Sequence, residues 1–165
     1  MKSSLIRAAI VAAALSSPVA AIASPVKPYV EIMGPSYHTI RTTSTGFTYN
    51  NANPGIGLGV DLDNNVSVGV GVYRNSFYKT TAYVEAEWVP LHLGRFGLGA
   101  GAGLATGYEG YVPLGRYLTP VAGLIMTADI NQSARLKMRV LPMSGMVTGK
   151  GGVGAVFNLS LDIFI

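Results

Sequence analysis

The sequence predicts an all-β protein: an eight-stranded antiparallel transmembrane β-barrel of the bacterial outer membrane. Three observations predict it. Apolar residues alternate with small or polar ones along most of the chain, and such a period of two sorts side chains onto the two faces of a strand. After residue 23, no unbroken apolar run reaches the about 20 residues that a membrane-spanning helix needs. Only 12% of the residues are charged, which suits a barrel whose outer face contacts lipid.

The amino terminus has the pattern of an export signal. Lys2 and Arg7 precede an apolar run that ends in Ala21-Ile22-Ala23, the small-residue site at which signal peptides are cleaved. An inner-membrane anchor is the alternative, but the run is short for a spanning helix. We therefore expect a signal peptide over residues 1–23 and an outer-membrane barrel over residues 24–165.

The alternating segments can be counted as strands. Val66–Tyr73, "VSVGVGVY", sets four valines against Ser67, two glycines and Tyr73, and the final stretch "FNLSLDIFI" keeps one oily face to its end. The eight predicted strands cover residues 29–40, 54–62, 65–74, 79–90, 95–106, 117–128, 134–142 and 153–165. Eight tilted strands close a small barrel, which leaves no backbone edge unpaired in lipid. A soluble β-sandwich also alternates, but the export signal and the low charge count against it.

The connections divide into short and long ones. Compact turn signals lie at residues 63–65, 91–94 and 129–133, whereas the longer connections cover residues 41–53, 74–78, 107–116 and 142–152. Barrels of this class have short periplasmic turns and longer outer loops. With both termini on the periplasmic side, His38 ends the first outward strand, and Asn75 and Ser76 follow the third. We therefore expect these three side chains to meet at the outer rim of the barrel.

A hydroxyl beside an imidazole is the simplest chemistry available at that rim. Acyl transfer needs a base that takes a proton from a hydroxyl group and returns it, and Ser76 and His38 have the required groups. Asn and Ser are equally typical of a plain turn, so a purely structural loop stays open. With two histidines and no cysteine we expect no metal site, and without a run of like charge we expect no nucleic-acid binding.

Five blocks of the sequence, in order, resemble the outer-membrane lipid A palmitoyltransferases. The blocks are "SYH" (Ser36–His38), "YRNSF" (Tyr73–Phe77), "EWVPL" (Glu87–Leu91), "FGLGAGAGLATGY" (Phe96–Tyr108) and "YVPLGRYLTP" (Tyr111–Pro120). The resemblance implies transfer of a palmitoyl-type acyl chain from a glycerophospholipid to lipid A in the outer leaflet, without a metal or soluble cofactor. We expect the protein to be a monomer. A non-catalytic barrel with a structural or adhesive role is the alternative function.

The resemblance also implies which residues act. The family needs a His at the rim of the first strand and an Asp-Ser pair after the third, which fall here on His38, Asn75 and Ser76 as catalytic residues. Asn75 departs from the family because an amide orients an imidazole but does not offset its positive charge. A second departure is that Ser24–Pro28 leaves no room for the amphipathic helix that precedes the first strand in the family.

Prolines and glycines define a predicted route for the acyl chain. Proline donates no hydrogen bond to a β-ladder, and the resemblance implies a lateral lipid gateway at Pro113 and Pro120. Four glycines are predicted to widen the lumen into an acyl-chain pocket: Gly69, Gly71, Gly99 and Gly101. Glycine also allows the tight curvature of a small barrel, and both roles stay open for these four.

Charged residues with inward parity predict a polar floor below that pocket. Charges are costly in hydrocarbon, so we expect them to pair inside the barrel. The residues concerned are Glu85, Glu87, Arg135, Lys137, Arg139 and Asp162. Tyr29, Tyr83, Trp88 and Tyr117 are predicted to lie at the membrane interfaces.

Overall fold

The chain folds into a closed antiparallel barrel of eight strands. The computed structural model describes residues 26–43, 45–63, 65–109, 117–143 and 154–165. The strands are β1 (Lys27–His38), β2 (Ala52–Asp61), β3 (Val66–Arg74), β4 (Thr80–Leu93), β5 (Phe96–Ala105), β6 (Thr119–Asn131), β7 (Ala134–Met143) and β8 (Gly154–Phe164). Each strand pairs with its neighbours in the sequence, and β1 pairs with β8 to close the barrel.

The eight predicted strands are all present, with ends shifted by a few residues. Within the described residues, no helix is long and apolar enough to cross a membrane. The predicted signal peptide, residues 1–23, and Pro113 lie outside the described part of the chain. The predicted alternation is confirmed: apolar side chains such as Ile56, Leu58 and Leu124 lie on the outer face and are more than half exposed.

A bulge in β1 changes which residues face the lumen. Tyr29, Glu31 and Met33 are buried, but beyond them the buried positions are Ser36 and His38. The pairing of β1 with both β2 and β8 shifts register after Met33. Because a bulge inserts one unpaired residue, the inward side switches from odd to even positions. This switch turns His38 into the barrel.

An ion-pair network of the charges predicted to face inward fills the lumen, on the side away from the connections after β1 and β3. The Nζ of Lys137 lies 2.9 Å from Glu87 and 3.0 Å from Asp162. Arg139 pairs with Glu31 at 2.7 Å and with Glu87 at 3.0 Å, and it also contacts Glu85. These side chains are buried or nearly so, so the pairs compensate charges that would be costly alone. The network is a polar floor across the barrel.

Two tyrosines predicted at the membrane interface lie in the lumen instead. Tyr29 is 2% exposed and Tyr83 is 9% exposed. A Cβ placed at Gly59 would lie 2.2 Å from the Tyr29 ring, and one at Gly71 would lie 2.6 Å from the Tyr83 ring. The glycines of β2 and β3 therefore make room for these rings, and the interface prediction for both tyrosines is wrong.

Candidate active site

The structure brings His38 and Ser76 together at the outer rim, the end of the barrel that carries the connections after β1 and β3. The Nε2 of His38 lies 2.8 Å from the Oγ of Ser76, which is hydrogen-bond distance. His38 is 1% exposed. A residue at the end of β1 and a residue in the turn after β3 thus form one pair, in the arrangement that proton transfer requires.

A third side chain, not predicted from the sequence, completes the contacts of the imidazole. The Nδ1 of His38 lies 2.7 Å from the Oδ1 of Asn51. Asn51 immediately precedes β2, and its backbone carbonyl accepts a 2.9 Å hydrogen bond from the N–H of Ser36. This backbone bond holds Asn51 opposite the end of β1.

Two more asparagines from the same segment hold the turn that carries Ser76. The backbone N–H of Asn50 donates to the Ser76 carbonyl at 2.9 Å, and its side chain donates to the Asn75 carbonyl at 3.2 Å. The side chain of Asn53 donates to the Arg74 carbonyl at 2.8 Å. The connection after β1 therefore positions both members of the pair, His38 through Asn51 and Ser76 through Asn50.

Asn75 lies beside the pair in sequence but serves the turn itself. Its Nδ2 donates to Thr81 Oγ1 at 3.0 Å and to the Gly107 carbonyl at 2.9 Å. Its Oδ1 accepts from the N–H groups of Phe77 and Lys79 at 2.9 and 3.0 Å. These bonds use all four hydrogen-bonding positions of an amide. The resemblance predicts that the Asn75 side chain orients the imidazole of His38. In the structure the Asn75 side chain instead holds the turn after β3, and Asn51 contacts the imidazole.

The turn that Asn75 braces is tight. Tyr78 has a φ of 61°, a left-handed conformation that is uncommon for residues other than glycine. Its N–H donates to the Asn75 carbonyl at 3.1 Å. The bonds of the Asn75 amide offset the unfavourable backbone conformation, and Ser76 is held within this turn.

Aromatic rings cover the pair on the loop side. The ring of Tyr49 stacks on His38 at 5.0 Å with an interplanar angle of 10°. Phe47 and Phe77 each meet the Tyr49 ring edge to face, at 5.8 and 5.5 Å. Burial raises the pKa of Tyr49, so its phenol stays neutral at physiological pH. The imidazole thus lies under an uncharged aromatic cover.

An apolar cavity of about 270 Å³ begins at the pair and runs into the lumen. His38 and Ser76 line one end of it, and Glu85 and Arg139 of the polar floor line the other. Between them the walls are mostly hydrophobic and include Met33, Tyr73, Tyr83, Ile125, Leu141 and Met143. An apolar space with a polar pair at one end suits the alkyl part of an amphiphile.

Of the four glycines predicted to widen this pocket, Gly101 lines the cavity. The space above Gly71 holds the Tyr83 ring, and the hydroxyl of Tyr29 lies 3.4 Å from a Cβ placed at Gly69. A Cβ at Gly99 would lie 2.0 Å from the Trp88 carbonyl oxygen. The glycines at 69, 71 and 99 therefore accommodate tyrosines or a close strand neighbour.

The barrel wall loosens beside the cavity, at the outer end of β6. Pro120 lies there and lines the cavity. The pairing of β6 with β7 begins at Leu124 opposite Val140, although β6 itself begins at Thr119. In the described part of the chain, the first five residues of β6 thus have ladder partners on β5 and none on β7. Pro142 lies one residue before the end of the facing strand β7, so two prolines flank this gap.

Comparison with known proteins supports the fold and no particular activity. No protein-family model and no curated protein matches the chain. Among solved structures, it is similar to a barrel from work on the de novo design of transmembrane β-barrels, with 11% identity and a TM-score of 0.55. The match covers 86% of this chain and 98% of the other. The fold is that of a transmembrane β-barrel. The outer-membrane protein AlkL also matches, with 11% identity over 91% of this chain and 95% of AlkL, at a TM-score of 0.42.

Proposed function

We propose that this protein is an acyltransferase of the bacterial outer membrane that moves an acyl chain from a glycerophospholipid to lipid A. The observation that carries the proposal is the His38–Ser76 pair at the mouth of an apolar cavity. An ester carbonyl placed at the pair would have a proton acceptor beside it, and its alkyl chain would extend into the lumen. The ordered resemblance of five sequence blocks to the lipid A palmitoyltransferases supports this choice of substrates.

The proton path follows from the geometry of the pair. As a hydroxyl oxygen attacks the donor's ester carbon, Nε2 of His38 accepts the hydroxyl proton. The bond between the carbonyl carbon and the glycerol oxygen then breaks, and the imidazolium returns the proton to that oxygen. Ser76 supplies the hydroxyl for a two-step transfer, or holds the acceptor's hydroxyl for a direct one. One ester replaces another, so the reaction needs no redox or energy-donating cofactor.

The wall and the floor of the barrel suit a lipid substrate. A chain entering from the membrane would pass the β6–β7 gap beside Pro120 without breaking backbone hydrogen bonds. The Arg139–Glu85 pair is unfavourable for hydrocarbon, so it would end the space available to the chain. The same floor lies between the cavity and the periplasm, which favours a closed binding pocket over a channel through the barrel.

Purified protein in phospholipid vesicles tests the proposal. The donor is phosphatidylethanolamine with an isotope-labelled acyl chain, and the acceptor is purified lipid A. We expect label in lipid A with the wild type, and a loss of about 10²- to 10⁴-fold for His38→Gln or Ser76→Ala, because general acid–base catalysis contributes that much. His92→Gln and Ser133→Ala, at the opposite end of the barrel, are the matched controls. Unlabelled lipid A with folded wild type would support the non-catalytic barrel.

A further inference from the structure

We propose that Asn51 is the positioning residue of this site, because it fixes the protonation pattern of the His38 ring. The role rests on the proposed acyl transfer. The contact is the 2.7 Å bond between Asn51 Oδ1 and His38 Nδ1. Neither the sequence pattern nor the family resemblance assigns Asn51 a function, and the resemblance gives the orienting role to Asn75.

The chemistry of the two atoms sets the tautomer. An amide oxygen only accepts hydrogen bonds, so the Nδ1 that faces it must carry the proton. In a neutral imidazole the other nitrogen, Nε2, is then the acceptor. Nε2 is the atom 2.8 Å from Ser76 Oγ. The bond to Asn51 therefore leaves the basic nitrogen facing the hydroxyl whose proton it must take.

The surroundings keep this arrangement in place. The carbonyl of Asn51 is tied to Ser36 beside the β1 bulge, and the Tyr49 ring stacks on the imidazole with nearly parallel planes. Rotation of the His38 ring would break the contacts to Asn51 and Ser76 together. Asn75 is unsuited to the same task because its amide is engaged by Thr81, Gly107 and two backbone N–H groups.

A neutral amide at this position has a testable consequence. An aspartate in place of Asn51 would accept the same hydrogen bond and would also stabilise the imidazolium with its charge. Asn51 is exposed, so a carboxylate there stays hydrated and the barrel can fold. Asn51→Asp should therefore keep the tautomer but raise the pH at which His38 titrates, whereas Asn51→Ala should lose the tautomer preference.

Nitrogen-15 NMR of the two imidazoles in detergent micelles reads this out without reference to activity. The protein contains two histidines, and His92, near the end of β4 at the opposite end of the barrel, is the internal control. We expect wild-type His38 to show the Nδ1–H tautomer, and Asn51→Ala to show a mixture. Asn51→Asp should raise the His38 midpoint by about 1 to 3 pH units, as expected for a nearby opposite charge, and leave His92 unchanged.

The labelled-lipid assay measures the effect of the same variants on acyl transfer. Asn51→Ala should lower kcat with little change in KM, and Asn51→Asp should retain transfer with the acidic limb of its pH profile shifted upward. An Nε2–H tautomer in the wild type, or unchanged His38 signals in Asn51→Ala, would overturn the role of Asn51. If the wild type transfers no acyl chain, the proposed function fails, and the NMR arm still decides whether Asn51 orients His38.

Discussion

Asn75→Asp restores the residue that the palmitoyltransferase resemblance would place after β3, yet we expect it to damage the protein. The amide of Asn75 is fully buried and donates to Thr81 Oγ1 and to the Gly107 carbonyl. A carboxylate has no hydrogen to donate. It would face the Gly107 oxygen directly, and the Thr81 hydroxyl already donates to the Thr106 carbonyl at 2.8 Å.

The size of the effect follows from these two contacts. Leaving a buried polar group unsatisfied costs about 1–3 kcal/mol, and more when the group is charged. Two lost donors therefore predict a destabilisation of about 2 to 6 kcal/mol for the Asn75 loop. The N–H groups of Phe77 and Lys79 still bond the carboxylate, which favours the lower half of that range.

Two measurements give the loss of stability: hydrogen exchange of the turn after β3, and urea unfolding followed by the fluorescence of the single tryptophan, Trp88. Asn131→Asp is the matched control, because Asn131 is exposed and its Oδ1 accepts a 2.8 Å bond from the N–H of Ser133, which a carboxylate also accepts. We expect less than about 0.5 kcal/mol there, as for most surface changes. Acyl transfer by Asn75→Asp should fall. A variant that is as stable as the wild type and more active would refute the bracing role of Asn75.

Two further predictions concern the lumen. Lys137→Met removes the cation that lies 2.9 Å from Glu87. Because the Glu87 carboxylate is then buried without that partner, we expect the barrel to be destabilised by about 3–5 kcal/mol, measured by urea unfolding in vesicles. An unchanged unfolding midpoint would contradict a stabilising role for the ion-pair network. Gly71→Ala should lower stability by about 1–3 kcal/mol through overpacking against Tyr83 and change the near-ultraviolet circular dichroism of the tyrosines. Gly69→Ala is the control, because a Cβ placed there would lie 3.4 Å from its nearest neighbour, the Tyr29 hydroxyl. We expect this variant to lose much less stability than Gly71→Ala.

The alternation of side chains between the two faces of each strand explains why most of the barrel could be predicted from the sequence. Once alternate residues are assigned to the two faces, the sequence predicts an apolar outer face and paired charges on the inner face of β4, β7 and β8. The same parity should have placed Tyr83 inside, because it shares a face with Glu85 and Glu87. Residue type alone does not distinguish a tyrosine at the membrane interface from one in the lumen.

The site could be predicted only in part, because its geometry depends on local irregularities. Alternation continued from Met33 would turn His38 toward lipid, and Gly34-Pro35 is the sequence signal for the bulge that reverses this. Asn50, Asn51 and Asn53 look alike in the sequence, and the path of the loop decides which one meets the imidazole. The roles of Asn75 and Asn51 therefore became visible only with side-chain contacts.

The most direct test of the proposed acyl transfer is mass spectrometry of lipid A from cells. The host assembles outer-membrane barrels, lacks its own palmitoyltransferase and expresses either this protein or Ser76→Ala. The proposal predicts a mass gain equal to one acyl chain with the wild type and none with Ser76→Ala, at equal amounts of folded protein. Unmodified lipid A from cells with folded wild-type barrel would contradict the proposal.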